Sequence, residues 1–144
     1  MDYNILPNSD IKGSKICLGT MTWGRQNSQK EAFDQMNYSL ERGINFFDTA
    51  ELYPVPATPD KYAVTEQIIG NWFNETKKRD KVILATKIAG PGDYTAHIRK
   101  SGFKGDSIET ALNSSLKRLN TDYIDLYQLH WPERITNTFG NRSF

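Results

Sequence analysis

A chain of 144 residues with 38% hydrophobic and 12% aromatic side chains has the length of one domain, or a piece of one, and enough apolar mass for a packed core. A net charge of +1 gives no electrostatic case for nucleic acid or an anionic membrane surface, and the single Cys17 excludes an internal disulfide and, with only two histidines beside it, a dedicated zinc set. No run reaches the roughly 20 apolar residues that span a bilayer, and MDYNILPNSD lacks the basic flank and apolar stretch of a secretory signal, so a cytoplasmic protein is expected.

In chain order, Tyr3 to Leu6 and Ile11 to Gly13 flank the turn formers Pro7-Asn8-Ser9-Asp10, which predicts a small hairpin. Lys15 to Gly19 is a first core strand running into Thr20-Met21-Thr22-Trp23-Gly24. Ser28, three residues before Glu31, opens a helix through a capping box, and Gly43 stands where that helix should stop. Ile44 to Asp48 reads as a second strand, followed by a loop that Pro54, Pro56 and Pro59 keep from being helical. A helix is predicted from Thr65 to Lys78, with Ile68, Ile69, Trp72 and Phe73 on one apolar face and Lys77, Lys78 and Arg79 at its end, where positive charge suits the helix dipole. Lys81 to Lys87 is a third strand, and 88–105 a long glycine-rich loop carrying His97, Arg99, Lys100 and Lys104. Asp106 with Glu109 predicts a second capping box, and Ile108, Leu112, Ser115, Leu116 and Leu119 an inner helical stripe. Asp122 to His130 is a fourth strand; after Trp131-Pro132, the residues through Arg134, Asn137 and Gly140 to Phe144 read as a loop.

Strands alternating with helices imply a parallel sheet with right-handed crossovers. No G-x-G-x-x-G run follows the first strand, which counts against a doubly wound dinucleotide fold. Polar residues gathered at successive strand ends favour a (β/α)8 barrel instead. A complete barrel needs about 250 residues, so four strands with an N-terminal β-hairpin predict the N-terminal half of a TIM barrel. The chain is expected to be truncated before the second half.

The strand ends carry the chemistry. Asp48 ends the second strand with Tyr53 just past it, Lys87 ends the third and His130 the fourth. Strand alternation puts Asp48 on the same side as Phe46, Lys87 with Ala85 and Ile83, and His130 with Gln128 and Leu126. Each polar group would then crown an apolar interior at one rim. Singly, each has an ordinary structural explanation: a turn aspartate, a packing tyrosine, a core histidine. Together, an ammonium beside a phenol is expected to lower the tyrosine pKa, a carboxylate neutralises the lysine, and an imidazole orients a carbonyl. Such a set suits carbonyl reduction. A desolvated strand-end lysine also serves Schiff-base chemistry, which leaves a lyase with Lys87 as nucleophile as an alternative.

The motifs LGTMTWG, GINFFDTAELY, ATK, SLKRLNTDYIDLYQLHWP and the PVP loop resemble the aldo-keto reductases, in particular their Tas-like branch. The resemblance extends over essentially the whole chain. It implies that Asp48, Tyr53, Lys87 and His130 form the family's tetrad, with Tyr53 as general acid and NADPH as hydride donor to a small-molecule carbonyl. It also implies that Thr20, Met21, Gln26 and Asp48 approach the nicotinamide half of the cofactor. Trp23 and the 88–105 loop are expected to border the substrate pocket. In the family most of the nucleotide clamp lies beyond the fourth strand, so this chain alone is expected to be weakly active or inactive. A half barrel exposes its inner face and edges, and self-association or a partner chain completing the barrel is expected. A non-catalytic interaction fragment is the competing reading.

Overall fold

The computed structural model describes residues 1–134, so the expected loop from Asn137 to Phe144 lies outside the described residues. The elements in order are β1 (Tyr3–Ile5), β2 (Lys12–Ser14), β3 (Cys17–Gly19), α1 (Gln29–Glu41), β4 (Phe46–Asp48), α2 (Val64–Thr76), β5 (Ile83–Ile88), α3 (Ser107–Arg118) and β6 (Leu126–Leu129), with single 3-10 turns at Arg79–Lys81 and Asp93–Thr95. β1 and β2 form an antiparallel hairpin, and the other four strands form one sheet in the order β3-β4-β5-β6, each pair parallel. Strand order that follows chain order, with a helix in each crossover, is the N-terminal half of a (β/α)8 barrel preceded by a hairpin.

Alternation sorts the sheet into two faces. Phe47, Leu84, Thr86 and Ile88 are fully buried. Phe47 and Leu84 pack with Ala32 and Met36 of α1, Ile69, Trp72 and Phe73 of α2, and Leu119 after α3. The opposite face carries Phe46, Asp48, Ile83, Ala85 and Lys87, as the expected parity requires. The hairpin closes the end of that face away from the polar residues. A methyl group at Gly13 would come within 2.9 Å of Phe46 Cδ2 and 3.5 Å of both Ile83 Cδ1 and Leu6 Cδ1, so only glycine lets β2 lie this close.

Helix ends follow local chemistry in one case and depart from it in two. At α1 the Ser28 side chain accepts from Glu31 N while a Glu31 carboxylate oxygen accepts from Ser28 N at 2.7 Å, and Gly43 at φ 79° leaves the helix in the left-handed region. α2 stops at Thr76, short of the expected Lys78, because Lys77 turns left-handed at φ 57°. The expected dipole role of the three cations is not what Arg79 does. Its guanidinium donates to Asp125 Oδ2 at 2.7 Å, to the Val82 and Tyr123 carbonyls and to Thr121, and it stacks on Tyr123, clamping the start of β5 to the segment before β6.

The second capping box does not form. Asp106, at φ −83° and ψ 10°, is outside the extended region a capping residue occupies and makes no side-chain cap bond. The expected stripe on α3 is also shifted. Ala111, Ser115 and Leu119 face inward, while Ile108 is 38% exposed. Ala111 and Ser115 are small where α2 crosses close at Gly70 and a polar network occupies the space between. In that network the fully buried Glu66 accepts from Thr86 Oγ1 at 2.6 Å and from Arg118 Nε at 2.7 Å, and Arg118 also donates to Ser115. Among the described residues no helix is long and apolar enough to cross a membrane.

Candidate active site

Four side chains named from the sequence meet at the carboxyl ends of β4, β5 and β6. Parallel pairing sets Asp48 opposite Ala85 and Lys87 opposite Gln128, and the His130 amide extends the β5–β6 ladder by donating to the Ile88 carbonyl at 3.2 Å. Asp48 and Lys87 project from the same face at this rim. Lys87 Nζ donates to Asp48 Oδ2 at 2.7 Å and to the Thr49 carbonyl at 2.8 Å. It also sits 5.0 Å from the centroid of the Tyr53 ring. The Tyr53 and His130 rings meet edge to face, with centroids 5.6 Å apart.

The loop between β4 and α2 sets Tyr53 in place. Beyond Asp48 the chain keeps pairing with β5, Thr49 N donating to the Ala85 carbonyl and Glu51 N to the Lys87 carbonyl. Tyr53 then packs in a small apolar cluster with Ala50, Leu52, Ala57 and Ala89, flanked by Val55, Ile98 and Trp131. Trp131 donates from Nε1 to the Pro91 carbonyl at 3.0 Å and packs against His130 with the rings tilted by 54° and centroids 5.0 Å apart. Its ring lies directly over Gly90, where a Cβ would clash.

The electrostatics correct one expectation. The Tyr53 phenol is pushed up to about 12, by burial first and by the Asp48 carboxylate second, rather than lowered by Lys87. The ammonium is engaged by Asp48 and Thr49, and no hydrogen bond joins it to the Tyr53 hydroxyl among the described residues. Tyr53 therefore holds its proton at neutral pH. His130 is pushed down to about 4 by burial and then by the Lys87 charge, which leaves a neutral imidazole whose buried Nδ1 has no hydrogen-bond partner among the described residues. Cys17 lies on the same side of β3, with its thiol raised to about 11 by burial and Asp48, which makes it a poor nucleophile.

The residues named for the cofactor separate. Thr20 is buried and donates from Oγ1 to the Asp48 carbonyl at 2.9 Å, directly behind the carboxylate. Met21 is exposed, with its carbonyl accepting from Val55 N at 3.0 Å, which joins the β3 end to the proline loop near Tyr53. Gln26 lies in the turn from Thr22 to Asn27, exposed, and no hydrogen bond links its side chain to the tetrad among the described residues. Trp23 does not border the site: it is 1% exposed in the core beneath α1 and α2, with Nε1 donating to Gln35 Oε1. The 88–105 loop does reach the site, through Ile98 and the Tyr94 hydroxyl, which accepts from Ala57 N at 2.6 Å. An open cleft of about 530 Å³ lies on the other side of this loop, against α3, lined by Glu51, Arg99, Lys104 and Arg118 among others.

Sequence reasoning missed Glu51, Arg99 and Trp131. Glu51 is 3% exposed and paired with Arg99 at 2.6 Å. The available signal was an acidic residue between Ala50 and Leu52, both of which are buried.

A rim of Asp, Tyr, Lys and His at the carboxyl ends of parallel strands invites comparison with known proteins. The model of the Aldo/keto reductase family matches residues 15–139. Protein tas of Escherichia coli (strain K12) is 43% identical over 150 residues, an alignment that covers 100% of this chain and 42% of that protein. Aldo-keto reductase YhdN of Bacillus subtilis (strain 168) is 37% identical, with 92% of this chain and 39% of that protein covered. Among solved structures, aldo-keto reductase AKR11C1 from Bacillus halodurans in its holo form superposes with a TM-score of 0.67 at 34% identity, over 90% of this chain and 40% of that one. The chain thus spans about 42% of the length of a curated relative such as protein tas. Matched along nearly its whole length by the family model, the chain belongs to the aldo/keto reductase family.

Proposed function

We propose that this chain carries the proton-donating half of an NADPH-dependent reductase of aldehydes or ketones. The observation that carries the reading is the Lys87–Asp48 ion pair at 2.7 Å set beneath the face of Tyr53, with neutral His130 edge-on beside it.

The residues present suit the reacting end of such a cofactor. Thr20, Met21 and Asp48 border one strand-end corner, and His130 Nδ1 is a buried polar atom without a partner among the described residues. A bound nicotinamide would supply the hydride. Tyr53, protonated at neutral pH, donates its proton to the oxygen that becomes negative in the reaction. Lys87, with its ammonium 5.0 Å from the ring centroid, offsets part of the cost that burial and the Asp48 carboxylate place on the resulting phenolate. Asp48 holds Lys87 in that position and neutralises it between turnovers. His130, uncharged, donates or accepts a hydrogen bond at the substrate oxygen and orients it. Val55, Ile98 and Trp131 pack around the cluster that holds the Tyr53 ring. A Schiff-base role for Lys87 is disfavoured, because two of its three Nζ hydrogens are donated to Asp48 and the Thr49 carbonyl.

The remaining strands of the barrel come from further polypeptide, from a second copy or from a partner chain; sedimentation of the purified protein distinguishes these. The test of function is an NADPH titration followed by tryptophan fluorescence, with NADH as comparison and Trp131→Phe as control for the site signal. Saturable quenching that prefers NADPH and vanishes in Trp131→Phe supports the reading. A folded sample that binds neither cofactor refutes it and favours a non-catalytic interaction role.

A further inference from the structure

The one strongly anchored charged group in the Tyr53 loop is not used in the chemistry above. Glu51 stands midway between Asp48 and Tyr53, with its carboxylate buried. Its backbone continues the parallel ladder beyond β4: Thr49 N donates to the Ala85 carbonyl at 2.9 Å and Glu51 N to the Lys87 carbonyl at 3.0 Å. The next rung is made by the Glu51 side chain, whose Oε2 accepts from Ala89 N at 2.9 Å. Arg99, from the 88–105 loop, grips the same carboxylate with two nitrogens, at 2.6 Å to Oε1 and 3.1 Å to Oε2. Arg99 is itself anchored by its amide to the Thr95 carbonyl, and Thr95 is buried with its hydroxyl donating to the Gly90 carbonyl. A continuous set of bonds therefore runs from the end of β5 through the loop and back to the residue two positions before Tyr53.

We propose that Glu51 and Arg99 form a positioning pair that fixes the Tyr53 phenol relative to Lys87 and His130 and makes that placement depend on the ordered 88–105 loop. The inference rests on the reading of Tyr53 as proton donor. Its physical basis is that a buried ion pair is a poor device for stability alone, since an apolar pair of similar volume often does as well. A bidentate Arg–carboxylate fork with a third, backbone donor instead fixes direction. The direction matters because the Glu51 amide shares its rung with Lys87, so one carboxylate registers the segment bearing the phenol against the strand bearing the ammonium. A misplacement of ~1 Å in such a site costs on the order of 100-fold in rate.

The experiment uses the full-length polypeptide with Glu51→Gln, Arg99→Met and Arg99→Lys, and Tyr53→Phe as reference. Glu51→Gln keeps the acceptor for Ala89 N and removes the charge; Arg99→Lys keeps the charge and removes the fork. Three quantities are read: kcat and KM for carbonyl reduction, the urea midpoint, and the His130 ring titration by NMR, assigned by its loss in His130→Gln. The expected result is a kcat reduced on the order of 10- to 100-fold in Glu51→Gln and Arg99→Met, with KM changed little, and partial recovery in Arg99→Lys. The His130 titration should move upward from about 4 as the loop admits water. Variants that keep wild-type kcat and His130 titration while only the urea midpoint falls would overturn the proposal and leave the pair a structural staple. If Tyr53→Phe retains full turnover, the proton-donor reading has failed instead, and the His130 titration alone decides whether the pair sets the geometry of the rim.

Discussion

Replacing Gly70 by alanine sets two effects of opposite sign against each other. Gly70 lies inside α2, where glycine costs about 1 kcal/mol relative to alanine. On an open helix face Gly70→Ala would therefore stabilise the protein. Here the added methyl would strike the Arg118 carbonyl oxygen and lie 2.9 Å from both the carbonyl carbon and the Cα of Leu119. All three are backbone atoms at the end of α3, so no side-chain rotation relieves the contact. Ordinary carbon contacts begin near 3.4 Å, and the helices would have to separate by at least 0.5 Å at Leu119 and by more at Arg118. A gap of ~0.5–1 Å forfeits a quarter to a half of the dispersion well for each atom pair it opens. It would also pull Leu119 from Trp72 and Phe73, and Arg118 from Glu66. Overpacking of this kind costs about 1–3 kcal/mol or more. With backbone atoms as the obstacle the upper part of that range applies, about 2–3 kcal/mol, and subtracting about 1 kcal/mol of recovered propensity leaves a net loss of roughly 1–2 kcal/mol. For a chain of this size that is a fall of about 2–8 °C in Tm. Thermal unfolding followed by circular dichroism checks it, with Gln67→Ala on the exposed face of the same helix as a near-neutral control. A Gly70→Ala variant as stable as the parent, or more so, would refute the close crossing of α2 and α3.

Three further outcomes follow from the site and its supports. Lys87→Met leaves the Asp48 carboxylate without its ion-pair partner; turnover should fall to background and stability by ~2 kcal/mol, less than for a fully buried pair because Asp48 is 30% exposed. Steady-state kinetics and urea unfolding check both. Glu66→Ala strands Arg118 and the Thr86 hydroxyl behind the sheet, and urea unfolding should show a loss of about 3–5 kcal/mol, a large share of a domain's margin. The third outcome is a pH effect. His130 titrates at about 4 in the folded chain against 6.5 unfolded, so between those values the unfolded state binds the extra proton. Stability should be unaffected above 6.5 and decline as pH falls from 6.5 toward 4, and His130→Gln should reduce that decline in urea midpoints measured across the range.

Much of the fold is legible because hydrophobic period and strand-end polarity agree. The apolar run before Asp48 and the one before Lys87 each end on the side chain that the sheet presents at its rim, and parity along a strand is strict. What was not legible depends on groups far apart in sequence. Trp23 looked like a pocket residue by its place after the first core strand, but its indole is buried by helices whose packing the local sequence does not state. The Asp106–Glu109 spacing satisfies the capping pattern, yet the loop delivers Asp106 with the wrong backbone angles, and pattern alone cannot show that. The Tyr53 pKa departs from expectation for a related reason. The sequence places a lysine near the phenol, but it does not state that burial dominates or that the ammonium is taken up by Asp48 and a carbonyl. Arg79, assigned to a helix terminus, is recruited by Asp125, 46 residues away.

The hairpin that seals one end of the sheet separates two kinds of evolutionary freedom within very short strands. β4 spans Phe46 to Asp48, so the residue that packs against the hairpin floor and the residue that holds the lysine stand two positions apart, with Phe47 between them. Changes at the floor are confined by glycine and by close apolar contact, whereas the loops at the opposite end can lengthen or exchange side chains without disturbing it. On the reductase reading, changes in substrate preference should therefore fall in 54–62 and 91–105 around a retained Thr95 and Arg99, while the floor around Gly13 drifts little.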